Sequence, residues 1–129
     1  MRIEAYFERV KNPVDNCPFV QSSSITYEKR TTYEGFVHGE LILADDSVLH
    51  LREYVDVETT VERLMYVYQY VDSKQEFRFR YDDTGHHRNL KLTTYPHHKH
   101  EGSEKNVLLS SAPDLSAVLE EIQDLIELP

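Results

Sequence analysis

Only one cysteine, Cys17, occurs in the 129 residues, so no internal disulfide can form and no second thiol is at hand for a metal site. That agrees with a reducing compartment, and Cys17 itself reads as a small, buried or half-buried hydrophobe. No apolar run approaches the roughly 20 residues of a membrane span. The N-terminus alternates apolar and charged positions (Met1, Arg2, Ile3, Glu4), whereas a secretory signal would be continuously apolar. A cytoplasmic protein without a membrane partner is expected. Gly-x-Ser-x-Gly, phosphate-loop and dinucleotide fingerprints are all missing, as are internal repeats and low-complexity tails, so nothing indicates a nucleophilic triad or a nucleotide-binding fold. A general positive field is missing too: 14 lysines and arginines stand against 23 acids, a formal net charge of -9. That argues against indiscriminate attachment to a phosphate backbone.

The charge that is present is unevenly spread. Between positions 74 and 100, six lysines and arginines meet three acids and five of the seven histidines, giving a local +3 inside a chain whose remainder carries -12. The length is that of one domain, residues 1–129, with enough surface to bury for a single core. Positions 1 to 11 predict an amphipathic helix, because Ile3, Tyr6, Phe7 and Val10 fall at helical spacing and Asn12-Pro13 ends the pattern. Leu115, Val118, Leu119, Ile122, Leu125 and Ile126 predict a second helix near the C-terminus, with Ser111, Pro113 and Asp114 as start signals. The middle of the chain is rich in Val, Thr, Tyr and Phe and is broken at short intervals, which favours antiparallel neighbours. The expected fold is therefore α+β, a bent antiparallel sheet of about five or six strands with both helices on one face.

Alternation within these strands separates a wet face from a core face. Phe77, Phe79 and Tyr81 point one way and Arg78, Arg80 and Asp82 the other; a short extended piece is expected over positions 90 to 95. Leu49, Leu51, Val55 and Val57 oppose His50, Arg52 and Asp56, and only Glu53 breaks the apolar row. Tyr66, Tyr68 and Tyr70 stack on one side as core or half-buried rings. If the two polar rows are near neighbours, they converge on a largely cationic surface.

Metal-free RNA cleavage needs a base for the 2′-hydroxyl, an acid for the leaving oxygen and a cation for the phosphate. His50, Arg52, Arg78, Arg80, Asp82, His97, His98, Lys99 and His100 contain every such part. His86, His87, His98 and His100, helped by Asp82 or Asp83, could instead hold a divalent metal such as zinc, although the spacing matches no established zinc motif. No cofactor is otherwise expected. A surface that only docks a partner is the third reading left open.

Phe79-Arg80-Tyr81-Asp82, then His86-His87, then Tyr95-Pro96-His97-His98-Lys99-His100, resemble the TumE family of small prokaryotic proteins, the toxins of TumE/TumA-type toxin–antitoxin modules. Tyr33-Glu34-Gly35-Phe36, the stretch from position 49 to 56, the tyrosine-rich strand and the acidic terminal helix resemble that family too. Arg88 departs from it, standing where a proline is common. The resemblance implies a toxin with a cognate antitoxin, often a small DNA-binding protein. The leading expectation is the toxin of a type II pair acting on RNA or the translation machinery, including the ribosome. A non-catalytic interaction protein and a metal-binding hydrolase are the alternatives.

Overall fold

In the computed structural model, which describes residues 1–83 and 95–126, extended structure dominates, as the period-two patterning requires. Helix α1 (Ile3–Asp15) precedes seven strands: β1 (Val20–Lys29), β2 (Glu34–Leu43), β3 (Val48–Asp56), β4 (Glu62–Val71), β5 (Phe77–Asp82), β6 (His98–Glu101) and β7 (Ser103–Leu109). Helix α2 (Leu115–Gln123) follows. The strands form one sheet in chain order, every neighbouring pair antiparallel. The α+β architecture is the one expected, with more strands than the five or six anticipated. The β6–β7 hairpin, turning at Gly102 with φ of 77°, accounts for the difference. Its sequence carries too few apolar residues for alternation to mark it. The extended piece expected at positions 90 to 95 lies outside the described residues except for Tyr95, which sits in a turn.

Helix α1 buries Ile3, Tyr6, Phe7, Val10 and Val14 and runs one turn past the expected stop at Asn12-Pro13. A proline in the last turn removes a single backbone bond, which the burial of Val14 offsets. Helix α2 starts at Asp114, whose carboxylate accepts the Ala117 N–H at 2.9 Å, and buries Leu115, Val118, Leu119 and Ile122. Both helices lie on one face of the sheet, over Val37, Leu49, Leu51, Val55, Tyr66, Tyr68, Tyr70 and Phe79. The three tyrosine rings are fully buried, as their spacing suggested. A Cβ on Gly35 would come within 2.6 Å of Ile3 Cγ1 and 2.7 Å of Phe7 Cζ, so glycine there lets α1 seat on β2. Among the described residues no helix is long and apolar enough to cross a membrane.

Candidate functional site

Strand register decides what shares the sheet face opposite α1 and α2. One cross-strand row runs His38, Arg52, Val67, Asp82, His98 and Leu109 from β2 to β7, and the next runs Glu40, His50, Gln69, Arg80, His100 and Val107. His50, Arg52, Arg80, Asp82, His98 and His100 therefore lie on one surface, and Arg78 joins them by alternation along β5. That surface is not the largely cationic one expected. Acids lie beside the bases: His50 meets Glu40, directly opposite it, at 3.5 Å, His38 meets Glu28 at 3.2 Å, Arg78 meets Asp72, just past the end of β4, at 3.5 Å and Arg80 meets Glu104 of β7 at 2.6 Å. Neighbours of opposite charge on a sheet face are mutually stabilising, and the folded chain brings these acids there. Arg52 is exposed, with its guanidinium 5.5 Å from the centre of the Phe36 ring.

The tightest part of this face joins the end of β5 to β6. Asp82, His98 and His100 are each about 2% exposed. His98 Nε2 lies 2.7 Å from Asp82 Oδ1, and His100 Nε2 lies 3.7 Å from Oδ2. The far nitrogens are anchored, His98 Nδ1 on the Pro96 carbonyl at 3.0 Å and His100 Nδ1 on the Glu104 carbonyl at 2.7 Å. Arg80 Nε donates to Asp82 Oδ2 at 3.0 Å. Burial holds the His100 imidazole below its ordinary pKa, against the Glu104 carbonyl and with the help of Arg80's charge. Burial disfavours the charge of Arg80, but Glu104 and Asp82 outweigh it and raise its pKa. This is the one group of three potential metal donors among the described residues. His86 and His87 lie outside them.

His97 and Lys99 do not join that cluster, because residues one apart on an extended chain face opposite ways. The Lys99 ammonium bonds Glu121 Oε2 at 2.9 Å and sits over the Tyr81 ring on the helix side of the sheet. His97 stacks on Tyr66 and shares a 2.9 Å hydrogen bond with its hydroxyl. A scheme with acid and base on either side of a phosphate is thus not assembled from the whole histidine run. The alternation exploited on β5 holds on β6 as well, and it separates the run into two faces.

A second polar centre lies under the helices. Glu53, only 1% exposed, accepts hydrogen bonds from the Tyr6 hydroxyl at Oε1 and from the Tyr68 hydroxyl at Oε2, the latter at 2.9 Å. Burial foremost, then Glu53, raises the pKa of both tyrosines, so both remain donors. Arg63 donates to the Tyr68 hydroxyl at 3.2 Å and to the carbonyls of Pro113 and Ala112 at 2.7 Å each. The network ties α1, β3, β4 and the approach to α2 together beside a cavity of about 310 Å³, lined in part by Arg9, Asp114 and Ser116. Sequence reasoning gave Tyr6, Arg63 and Tyr68 no polar role. The available signal was Glu53, a charge in an otherwise apolar row.

A sequence model described as "Toxin TumE" matches residues 10–127. The chain belongs to the TumE toxin family. The match takes in Asp82, His98 and His100 and the Glu53, Arg63 and Tyr68 part of the second polar centre, but starts after Tyr6, within α1, and ends beyond α2. TumE-family membership carries a toxin function and, in general terms, an antitoxin partner. No curated protein and no solved structure matches the chain.

Proposed function

We propose that the protein is the toxin of a type II toxin–antitoxin pair, neutralised by a small DNA-binding antitoxin, and that it acts on RNA, binding single strands on the face of its sheet opposite α1 and α2. The observation that carries the RNA reading is a stacking platform on β2 and β3. Phe36 and Tyr54 lie 6.4 Å apart between ring centres, Phe36 and His38 lie 4.7 Å apart, and Arg52 covers Phe36. These side chains are half-buried or exposed, and neither helix packs on that side. Unstacked bases lie on aromatic and guanidinium planes of this kind, each such contact contributing about 1–3 kcal/mol. Two strand spacings from Arg52, roughly 10 Å, the same row reaches Asp82, and a third spacing reaches His98; beside them Arg80 offers a cation to a backbone phosphate. Because the chain is acidic overall, affinity would come from stacking more than from a general field, so its dependence on salt should be shallow.

Binding of an unstructured RNA oligonucleotide, followed by fluorescence anisotropy, tests the reading directly. Phe36→Ala and Arg52→Ala should each weaken it by roughly tenfold or more while leaving the melting temperature nearly unchanged. Growth inhibition in cells lacking the antitoxin should fall in parallel. Unaltered RNA affinity in both variants, or no RNA binding by the unmodified protein, would overturn the assignment. Co-expression with the product of a neighbouring small reading frame should restore growth, and failure of every neighbour to do so would remove the type II reading.

A further inference from the structure

We infer that Asp82, His98 and His100 form a binding site for one divalent transition-metal ion, with zinc the ion that the donor set fits first. The argument starts from register. Asp82 faces His98 across the β5–β6 ladder, and His100 lies two residues along on the same side, so two imidazoles and a carboxylate are delivered to one point by backbone pairing alone. Their donor atoms all lie within 4.8 Å of one another. Ligands at about 2.0–2.2 Å from a tetrahedral ion are about 3.4 Å apart. His98 Nε2 lies 2.7 Å from Asp82 Oδ1, so that contact must open by about 0.7 Å to admit the ion, and His100 Nε2 lies 3.7 Å from the other oxygen of the same carboxylate.

The outer contacts select the same use. Each Nδ1 is committed to a backbone carbonyl, which places its proton there and turns the Nε2 lone pair toward Asp82 in the neutral ring. A lone pair aimed at a carboxylate needs a cation between them, either a proton or a metal. With two imidazoles aimed at one carboxylate, a single divalent ion satisfies all three donors together. Carbonyls fixing the far nitrogen of a ligand histidine are the usual support of a bound metal. Arg80, on Oδ2, plays the corresponding part for Asp82 and leaves Oδ1 for the ion. Two nitrogens and one carboxylate oxygen suit zinc and its neighbours in the first row, and magnesium or calcium far less. Three protein ligands also leave a coordination position for water, the arrangement of hydrolytic rather than structural zinc sites. The inference relies on the RNA reading only for its biological use, since the ion can be detected with no substrate present.

The test uses the full chain without a histidine tag, freed of metal by a chelator and titrated with Zn²⁺ in a calorimeter. One equivalent should bind, and Co²⁺ in its place should give the visible spectrum of a tetrahedral site with nitrogen and oxygen ligands. Asp82→Asn, His98→Ala and His100→Ala should each weaken binding by more than the roughly tenfold to hundredfold typical of outer contacts. Asp82→Asn keeps the shape of the side chain, and circular dichroism of the metal-free variants separates lost binding from lost folding. His38→Ala and His50→Ala should bind as the unmodified protein does. Less than a tenth of an equivalent at saturating zinc would overturn the inference and leave the RNA reading intact. So would stoichiometric binding that survives all three substitutions but disappears when His86 and His87 are replaced. Conversely, a protein that holds zinc through these residues but binds no RNA would retain the site and discard the proposed target.

Discussion

Replacing Glu53 by Gln keeps the volume of the side chain and removes its charge, which isolates what the buried carboxylate does. It accepts from Tyr6 and Tyr68 at once, one hydroxyl on each oxygen. Hydrogen bonds to a charged group contribute about 1.5–3 kcal/mol each, against roughly 1 kcal/mol for a neutral pair. Glutamine retains one acceptor oxygen and turns an N–H toward the other hydroxyl, so one bond weakens and the other must be rebuilt with its donor reversed. Relief from burying a charge returns part of the loss. The expected net cost is about 2 kcal/mol, or a fall of roughly 6–10 °C in melting temperature for a domain of this size. Tyr6→Phe should cost about 1–2 kcal/mol, and the double variant less than the sum of the two, because each single change already removes the shared bond. Thermal melts followed in the near ultraviolet would measure all three. Additive costs, or a Glu53→Gln protein as stable as the parent, would refute the claim that this carboxylate fastens α1 to the sheet.

Alkaline pH should unfold the protein in a single step. Burial above all pushes Tyr27, Tyr66 and Tyr81 up to about 12, whereas unfolded tyrosines ionise near about 10. Since the folded values are raised, their stabilisation is complete below about pH 10 and is lost as pH climbs toward 12, by up to about 1.4 kcal/mol per tyrosine and pH unit. Tyrosinate absorbance should therefore rise together with the loss of circular dichroism, and ionisation of these rings in an intact fold would contradict their burial. Arg80→Ala should destabilise by about 1–3 kcal/mol rather than pass unnoticed on a wet face, because the change strips a guanidinium from the buried carboxylate of Asp82. A melting temperature unchanged from the parent would mean that this pair contributes nothing. If the variant stays folded at the growth temperature, loss of growth inhibition assigns Arg80 to the target, and full toxicity removes it from the site.

Local pattern was enough to read most of the architecture. Helical spacing at Ile3, Tyr6, Phe7 and Val10 and at Leu115, Val118, Leu119 and Ile122 marks the faces that these helices bury. Period two in Phe77 to Asp82 and in the tyrosine run marks which side of each strand is core, since successive side chains on a strand must point opposite ways. The same rule, carried into positions 97 to 100, separates His98 and His100 from His97 and Lys99. Strand β7 escaped because Ser103, Glu104, Lys105 and Asn106 have no apolar partner to alternate with, and its place in the sheet depends on a hairpin.

What sequence alone fixes is which residues can share a face, because that follows from neighbours two or four positions apart. Which of them meet is set by register between strands far apart in the chain. Glu40 reaches His50, and Glu104 reaches Arg80, because of how β2, β3 and the last three strands are aligned, and this turns an expected cationic surface into a balanced one. Register also gathers Asp82, His98 and His100, and the folded chain buries all three, where polar side chains would otherwise read as solvated. Glu53 shows the division most plainly. Its position in an apolar row announces a buried charge, but the two tyrosines that make that burial tolerable come from α1 and β4, 47 and 15 residues away, and only the folded chain brings them together.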